Sequence, residues 1–288
     1  MFKKCLEMPG GDNYATYYNL GLVHFFANRF QEALDSYQAS LRHHPSFANT
    51  YHGIGNVYEV NRMYEQALGF FKQATAIDPL AADSYFNAGT VLASLRRHEE
   101  AVVEFGHSVS ADPTSTGAYI NLGVSLKALG RTNDAVAAYE QAVRKGHPPM
   151  PQAFGNLATS LHELGRVAEA LDAARKGVGL DPTYAHGYNI LGTLLRPGHS
   201  GPGDKEECIQ AYKTALAIAP SFADASLNLA GVLVEVERFE EALEVVLKAR
   251  GLDGGDSRLF IEWFNLKRRV AEYSEWDEDV KRLAEMLE

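Results

Sequence analysis

Gly21, Gly55, Gly89 and Gly123 stand 34 residues apart in this 288-residue chain, and spacing held that strictly commits the sequence to copies of one structural unit stacked end to end. Other positions keep the same beat. An aromatic lies four residues before each glycine (Tyr17, Tyr51, Tyr85, Tyr119), an alanine twelve after (Ala33, Ala67, Ala101, Ala135), and a second aromatic four beyond that (Tyr37, Phe71, Phe105, Tyr139). Pro45, Pro79 and Pro113 close the first three units. A looser version continues through Phe154, Ala158, Ala170 and Pro182, then Tyr188, Gly192, Cys208, Tyr212 and Pro220, then Ala230, Ala242 and Ala249, making seven units.

Each unit reads as two helices. Tyr17, Leu20, Gly21 and His24 form one stripe of a first helix, and Ala33, Tyr37 and Ser40 form one stripe of a second. Small residues at Gly21 and Ala33 let paired helices approach, with the aromatics filling the space around the contact. Proline cannot continue the second helix and forces the turn into the next unit. Asp78, Asp112 and Asp181 precede it, a residue suited to turns.

Aromatic, Leu-Gly, Ala, aromatic, small, Pro on this period resembles the tetratricopeptide repeat (TPR) family over residues 14–254. The resemblance implies an all-α, right-handed helical solenoid of about seven repeats. It says little about which partner is bound, because such solenoids serve many systems through a concave surface.

Composition narrows the classes further. With 46% hydrophobic residues the chain can bury a long continuous core as a stack. Cys5 and Cys208 give neither a disulfide framework nor zinc-type spacing, which fits a reducing cytoplasmic or nuclear setting. No apolar run reaches the length of a secretory signal or a membrane span. A net charge of -10 without a basic cluster points away from nucleic acid and anionic membranes as main partners.

The ends depart from the repeat. Phe2, Cys5 and Met8 echo the order of Phe71, Ala74 and Ile77, so residues 1–13 are either a second helix lacking its partner or an N-terminal cap. After Leu252 the expected proline gives way to Gly254 and Gly255, and 255–288 reads as helical outside the repeat columns. It carries Leu259, Phe260, Trp263, Phe264 and Leu266, then Val270, Tyr273, Trp276, Val280 and Leu283. One reading is a cap over the last repeat. Another follows from Asn265 to Leu283, which is similar to the segment joining repeats to the catalytic half in O-linked N-acetylglucosamine transferases and SPINDLY-type O-fucosyltransferases. Asn265, Leu266, Trp276 and Asp277 carry that likeness; the cysteine usual before the tryptophan is absent.

On a helical wheel, the residue two before the glycine column lies roughly 200° from the buried stripe and faces away from it. It is Asn19, Asn87, Asn121, Asn156 and Asn228 in five of seven units, with Gly53 and Ile190 as exceptions and Asn56 as a partial substitute. Asparagine costs on the order of 0.5 kcal/mol against alanine in an exposed helix, yet it recurs. Its amide both donates and accepts, so a column of them can hold the backbone of an extended peptide while ignoring its side chains. First helices roughly 10 Å apart and peptide advancing roughly 3.3 to 3.6 Å per residue would bring one asparagine to every third peptide residue. The column resembles the asparagine ladder of the same glycosyltransferases, where it holds protein substrates. Inheritance from a common repeat, or contact with the neighbouring repeat, would explain it without a ligand.

Chaperone-adaptor TPR domains grip a C-terminal carboxylate with Lys and Arg. Beside the asparagine column stand Tyr18, His52, Phe86, Ile120, Gly155, Asn189 and Leu227, and three residues beyond it Leu22, Asn56, Thr90, Val124, Thr159, Thr193 and Gly231. None is basic, which points to a neutral, extended ligand.

Catalytic signals are weak. The ten histidines are scattered, and His43 and His44 diverge on a helix. Pro197 to Asp204, with Gly198-His199-Ser200-Gly201, lacks the strand-turn-helix setting of a nucleophile elbow or phosphate loop and reads as an expanded inter-helix turn. Glu99-Glu100 and Glu240-Glu241 sit at second-helix starts, where the dipole favours them. The expectation is therefore a scaffold without catalysis, cofactor or metal, binding an extended segment through Asn19, Asn56, Asn87, Asn121, Asn156 and Asn228. The alternatives are the substrate-recognition part of a protein O-glycosyltransferase, fused to or associated with a catalytic domain, and a structural subunit using its convex surface.

Overall fold

The computed structural model describes residues 13–146, 149–196, 205–252 and 256–270, and its regular structure there is entirely helical. The segment with Phe2, Cys5 and Met8, the turn Pro197 to Asp204, the pair Gly254-Gly255, and Tyr273, Trp276, Asp277, Val280 and Leu283 lie outside the described residues. The chain divides into two compact units, up to Pro149 and from Met150.

The first unit holds four helical hairpins: α1 (Tyr14–Phe26) with α2 (Phe30–His43), α3 (Ala48–Val60) with α4 (Tyr64–Ile77), α5 (Ala82–Ser94) with α6 (His98–Ala111), and α7 (Thr116–Ala128) with α8 (Thr132–Lys145). The second holds three: α9 (Pro151–Glu163) with α10 (Val167–Leu180), α11 (Ala185–Leu195) with α12 (Lys205–Ile218), and α13 (Ala223–Glu235) with α14 (Phe239–Leu252). A further helix, α15, spans 257–270.

Glycine and aromatic meet inside each hairpin. Ala33, Ala67, Ala101, Tyr37, Phe71 and Phe105 are essentially inaccessible to solvent. A Cβ at Gly55 would lie 2.5 Å from the Phe71 ring, one at Gly89 2.8 Å from Phe105, and one at Gly192 2.7 Å from Tyr212. The glycine thus makes room less for a second backbone than for the ring packed against it, which refines the sequence expectation. Where the glycine column holds Ala158 or Ala230, the ring column holds Ala174 or Val246, and all four are buried. One added carbon on the first helix is matched by a smaller side chain on the second, as close packing requires.

The corners are tight. In six hairpins the first helix ends in a residue of positive φ: Asn28, Arg62, Arg96, Gly130, Gly165 or Glu237. In the first corner the Asn28 and Arg29 amides donate to Phe25 and His24 carbonyls, the double bond of a Schellman stop. The residue after the left-handed one is arginine in five of the six, and Arg97, Arg131, Arg166 and Arg238 each bind the acid three residues on (Glu100, Asp134, Glu169, Glu241). Between hairpins, Asp112 and Asp181 accept from the Thr114 and Thr183 amides and hydroxyls, fixing the turn after the second helix.

Leu259 and Leu266 of α15 are buried, and its Arg258 pairs with Asp224 at 2.7 Å. The Arg250 guanidinium of α14 lies over the Trp263 ring at 4.5 Å. These contacts seat α15 on the last hairpin.

Candidate functional site

Within each unit first helices of successive hairpins touch, α1 with α3, α3 with α5, α5 with α7, α9 with α11 and α11 with α13, whereas no second helix touches the next second helix among the described elements. Crowding on one side and spreading on the other puts the first helices on the inner side of each unit's curve. The sequence-derived column lies there.

The column does not face open solvent alone. Asn19 is exposed, but Asn56, Asn87, Asn121, Asn156 and Asn228 are half-buried. Gly53, an exception in the column, is buried: a Cβ there would lie 2.7 Å from the Tyr37 ring of the preceding hairpin. A wheel drawn for one helix has a single buried stripe, while these first helices pack against their own second helix and against neighbouring first helices as well.

Two cross-repeat amide pairs result. Asn87 Nδ2 donates to Asn56 Oδ1 at 2.8 Å, and Asn228 Nδ2 donates to Asn189 Oδ1 at 3.0 Å. Asn56 therefore does meet the column, and Asn189, which the sequence places only beside it, joins it in the second unit. Each pair uses one donor and one acceptor, leaving the Asn56 and Asn189 NH2 groups and the Asn87 and Asn228 carbonyls with capacity to spare. Asn19, Asn121 and Asn156 make no side-chain hydrogen bond among the described residues. In the first unit His52 Nδ1 also meets Ser84 Oγ at 2.9 Å, and burial lowers the imidazole pKa despite nearby Asp83.

A groove of about 440 Å³ opens in the first unit, lined by Phe25, Asn56, Glu59, Val60, Arg62, Tyr64, Asn87 and Ser94. It joins both amides of the first pair to an apolar wall, and Val60 is 54% exposed there.

Sequence columns miss one cation. Arg196 comes within 3.3 Å of the position a Gly231 Cβ would take, so it reaches the first-helix face of the second unit. Its guanidinium is bound by the Glu235 carboxylate. The signal was the position four after the glycine column, where Lys127, His162 and Arg196 stand. Cys208 is fully buried, donates to the Gly192 carbonyl at 3.1 Å, and burial pushes its thiol up to about 11. It is a packed thiol in a small-residue column. No group of three or more potential metal ligands occurs among the described residues, and no described helix is long and apolar enough to cross a membrane.

Comparison with known families bears on this geometry directly. A tetratricopeptide repeat model matches residues 18–82, 52–115 and 120–185, and a second model of the same repeat matches 203–260. The chain is a tetratricopeptide repeat protein. Solved structures similar to this TPR protein share its fold at low identity. YrrB, described as a TPR protein with an unusual peptide-binding site, is 22% identical at a TM-score of 0.54, over 66% of this chain and 95% of its own. The C-terminal part of a TPR repeat-containing protein from Cytophaga hutchinsonii is 15% identical with a TM-score of 0.63, over 85% and 98%. PilF of Pseudomonas aeruginosa is 17% identical with a TM-score of 0.58, over 89% and 97%. No curated protein matches in sequence.

Proposed function

We propose that this TPR protein is a non-catalytic interaction scaffold that holds an extended segment of a partner protein on the first-helix face of its repeats. The seven hairpins supply the repeats, and α15 packs on the last of them. The observation that carries the reading is the set of amides on that face. Among the described residues the Asn19, Asn121 and Asn156 side chains are unengaged, and the Asn56–Asn87 and Asn189–Asn228 pairs retain free donors and acceptors. A peptide backbone offers one donor and one acceptor per residue, the complement of an amide column. The peptide-binding site named for YrrB, a protein of the same fold, is in keeping with it.

The test begins with a displayed library of random twelve-residue peptides selected on the folded protein. A photocrosslinking residue at position 121 should capture the selected peptides, and one at Val103, which is 54% exposed on the second helix α6, should not. Equal capture at both positions, or capture at Val103 alone, would refute the reading.

The asparagine column also favours a second reading, in which the segment held is the acceptor region of a protein destined for O-glycosylation and the repeats belong to a glycosyltransferase. Asn265 and Leu266 of α15 carry that likeness within the described residues; Leu266 is buried, a structural role in itself. The mass of the native polypeptide and a sugar-transfer assay on it test this reading.

A further inference from the structure

The first-unit groove has a chemistry that the asparagines alone do not give it. Asn56, Glu59 and Val60 follow at i, i+3 and i+4 on α3, so all three share one helix face, and all three line the groove. Across from them stands Phe25 of α1, at the same repeat position as Glu59 and likewise lining the groove. Asn87 and Ser94 add further polar groups to the lining.

Glu59 is partly buried, and its carboxylate has no hydrogen-bond or ion-pair partner among the described residues. Burial raises its pKa, and no neighbouring cation pulls it back down. Arg62 lines the same groove from the left-handed corner after α3, yet the two form no ion pair. A partly buried carboxylate without a counter-charge is costly to keep and gains strongly from a cation brought by a ligand. The other repeats hold Phe25, Ala93, Lys127, His162, Arg196 and Val234 at the position of Glu59, so this carboxylate is peculiar to the second hairpin and not a feature of the repeat.

We infer that the first-unit groove selects a peptide segment carrying a lysine or arginine, whose cation seats on Glu59 while a neighbouring apolar side chain lies against Phe25 and Val60. The Asn56 and Asn87 amides hold the backbone between those two side chains. This inference rests on the peptide-binding reading and supplies its side-chain specificity, which an amide column cannot. The net charge of -10 on the chain works in the same direction, drawing a basic segment toward it from a distance.

The experiment selects the random twelve-residue display library in parallel on the wild-type protein, on Glu59→Gln and on Glu99→Gln, an exposed glutamate of the second helix α6 outside the groove, with circular dichroism confirming that all three keep their helicity. Wild type and Glu99→Gln should enrich Lys or Arg beside an apolar residue, and Glu59→Gln should lose the basic residue while retaining the apolar one. Replacing the basic residue of a wild-type-selected peptide by norleucine should weaken its binding to wild type about tenfold and leave binding to Glu59→Gln unchanged. Peptides that crosslink to the groove without any basic preference, or with one that survives Glu59→Gln, would overturn the inference and leave the peptide-binding reading standing. Selected peptides that crosslink only to the second helices, or a library that yields no binder, would overturn both.

Discussion

The ring of Phe105 occupies the space that a side chain at Gly89 would need, since a Cβ there would lie 2.8 Å from Cδ1 of the ring. The same arrangement recurs at Gly55 and Phe71 and at Gly192 and Tyr212. It makes the glycine a packing residue, because Gly89 lies mid-helix with no positive φ to accommodate. Gly89→Ala should therefore destabilise the fold by about 1 to 3 kcal/mol, and Gly89→Leu by at least as much. Gly69 has nothing within 4 Å of its Cβ position, so Gly69→Ala should stabilise α4 by about 0.5 to 1 kcal/mol. Urea titrations of both alanine variants check this; a neutral Gly89→Ala would refute the packing argument.

The corners give an opposite use of glycine. Arg96 adopts φ 61° and Gly130 φ 73° at equivalent places. A left-handed conformation costs an ordinary L-residue roughly 1 to 2 kcal/mol, partly offset by the freedom a glycine regains on unfolding. Arg96→Gly should raise the melting temperature and Gly130→Ala should lower it, both read by calorimetry. Matching signs in the two variants would mean that backbone strain does not govern these corners.

Much of this was legible in the chain. The period, the glycine column and the ring column sixteen residues on located both helices of each hairpin, because steric demands on buried positions leave strict residue types. The asparagine column was legible as a column but not as a seam. Asn87 binds Asn56 across two hairpins, and a single-helix wheel has no term for a neighbouring first helix. The arginine corners stand outside the repeat columns, although Arg97 with Glu100 and Arg238 with Glu241 leave a readable trace of Arg followed by an acid three residues later. Glu59 could not be singled out from sequence, since an isolated glutamate on a helix reads as a solvated surface charge.

The asparagines should separate into two kinds when stability is measured. Asn87→Ala removes the bond to Asn56 and leaves that carbonyl without its donor, at a cost of about 0.5 to 1.5 kcal/mol. Asn121→Ala removes no internal bond and should stay within about 0.5 kcal/mol of wild type. Guanidinium titration of both tests the division, and equal losses would show that Asn121 has a structural role too.

Cys208 should behave as an inert thiol. Burial is the main cause that pushes it to about 11, with Glu235 adding to the shift and Arg196 opposing it. At pH 8 its thiolate is then scarce, whereas an ordinary cysteine with a pKa of about 8.5 is ionised to roughly a quarter. Iodoacetamide at pH 8 should leave Cys208 unmodified in the folded protein and modify it readily in urea, as read by tryptic mapping. Labelling of folded Cys208 at the rate of free cysteine would contradict its packed position.

The most direct test of peptide binding through the amide column is calorimetric titration of a library-selected peptide into wild type and into a variant carrying alanine at Asn19, Asn87, Asn121, Asn156 and Asn228. With helicity retained by circular dichroism, affinity should fall at least tenfold, since each lost amide contact is worth about 0.5 to 1.5 kcal/mol. Equal affinity in the two proteins would contradict it and leave the asparagines without a part in binding.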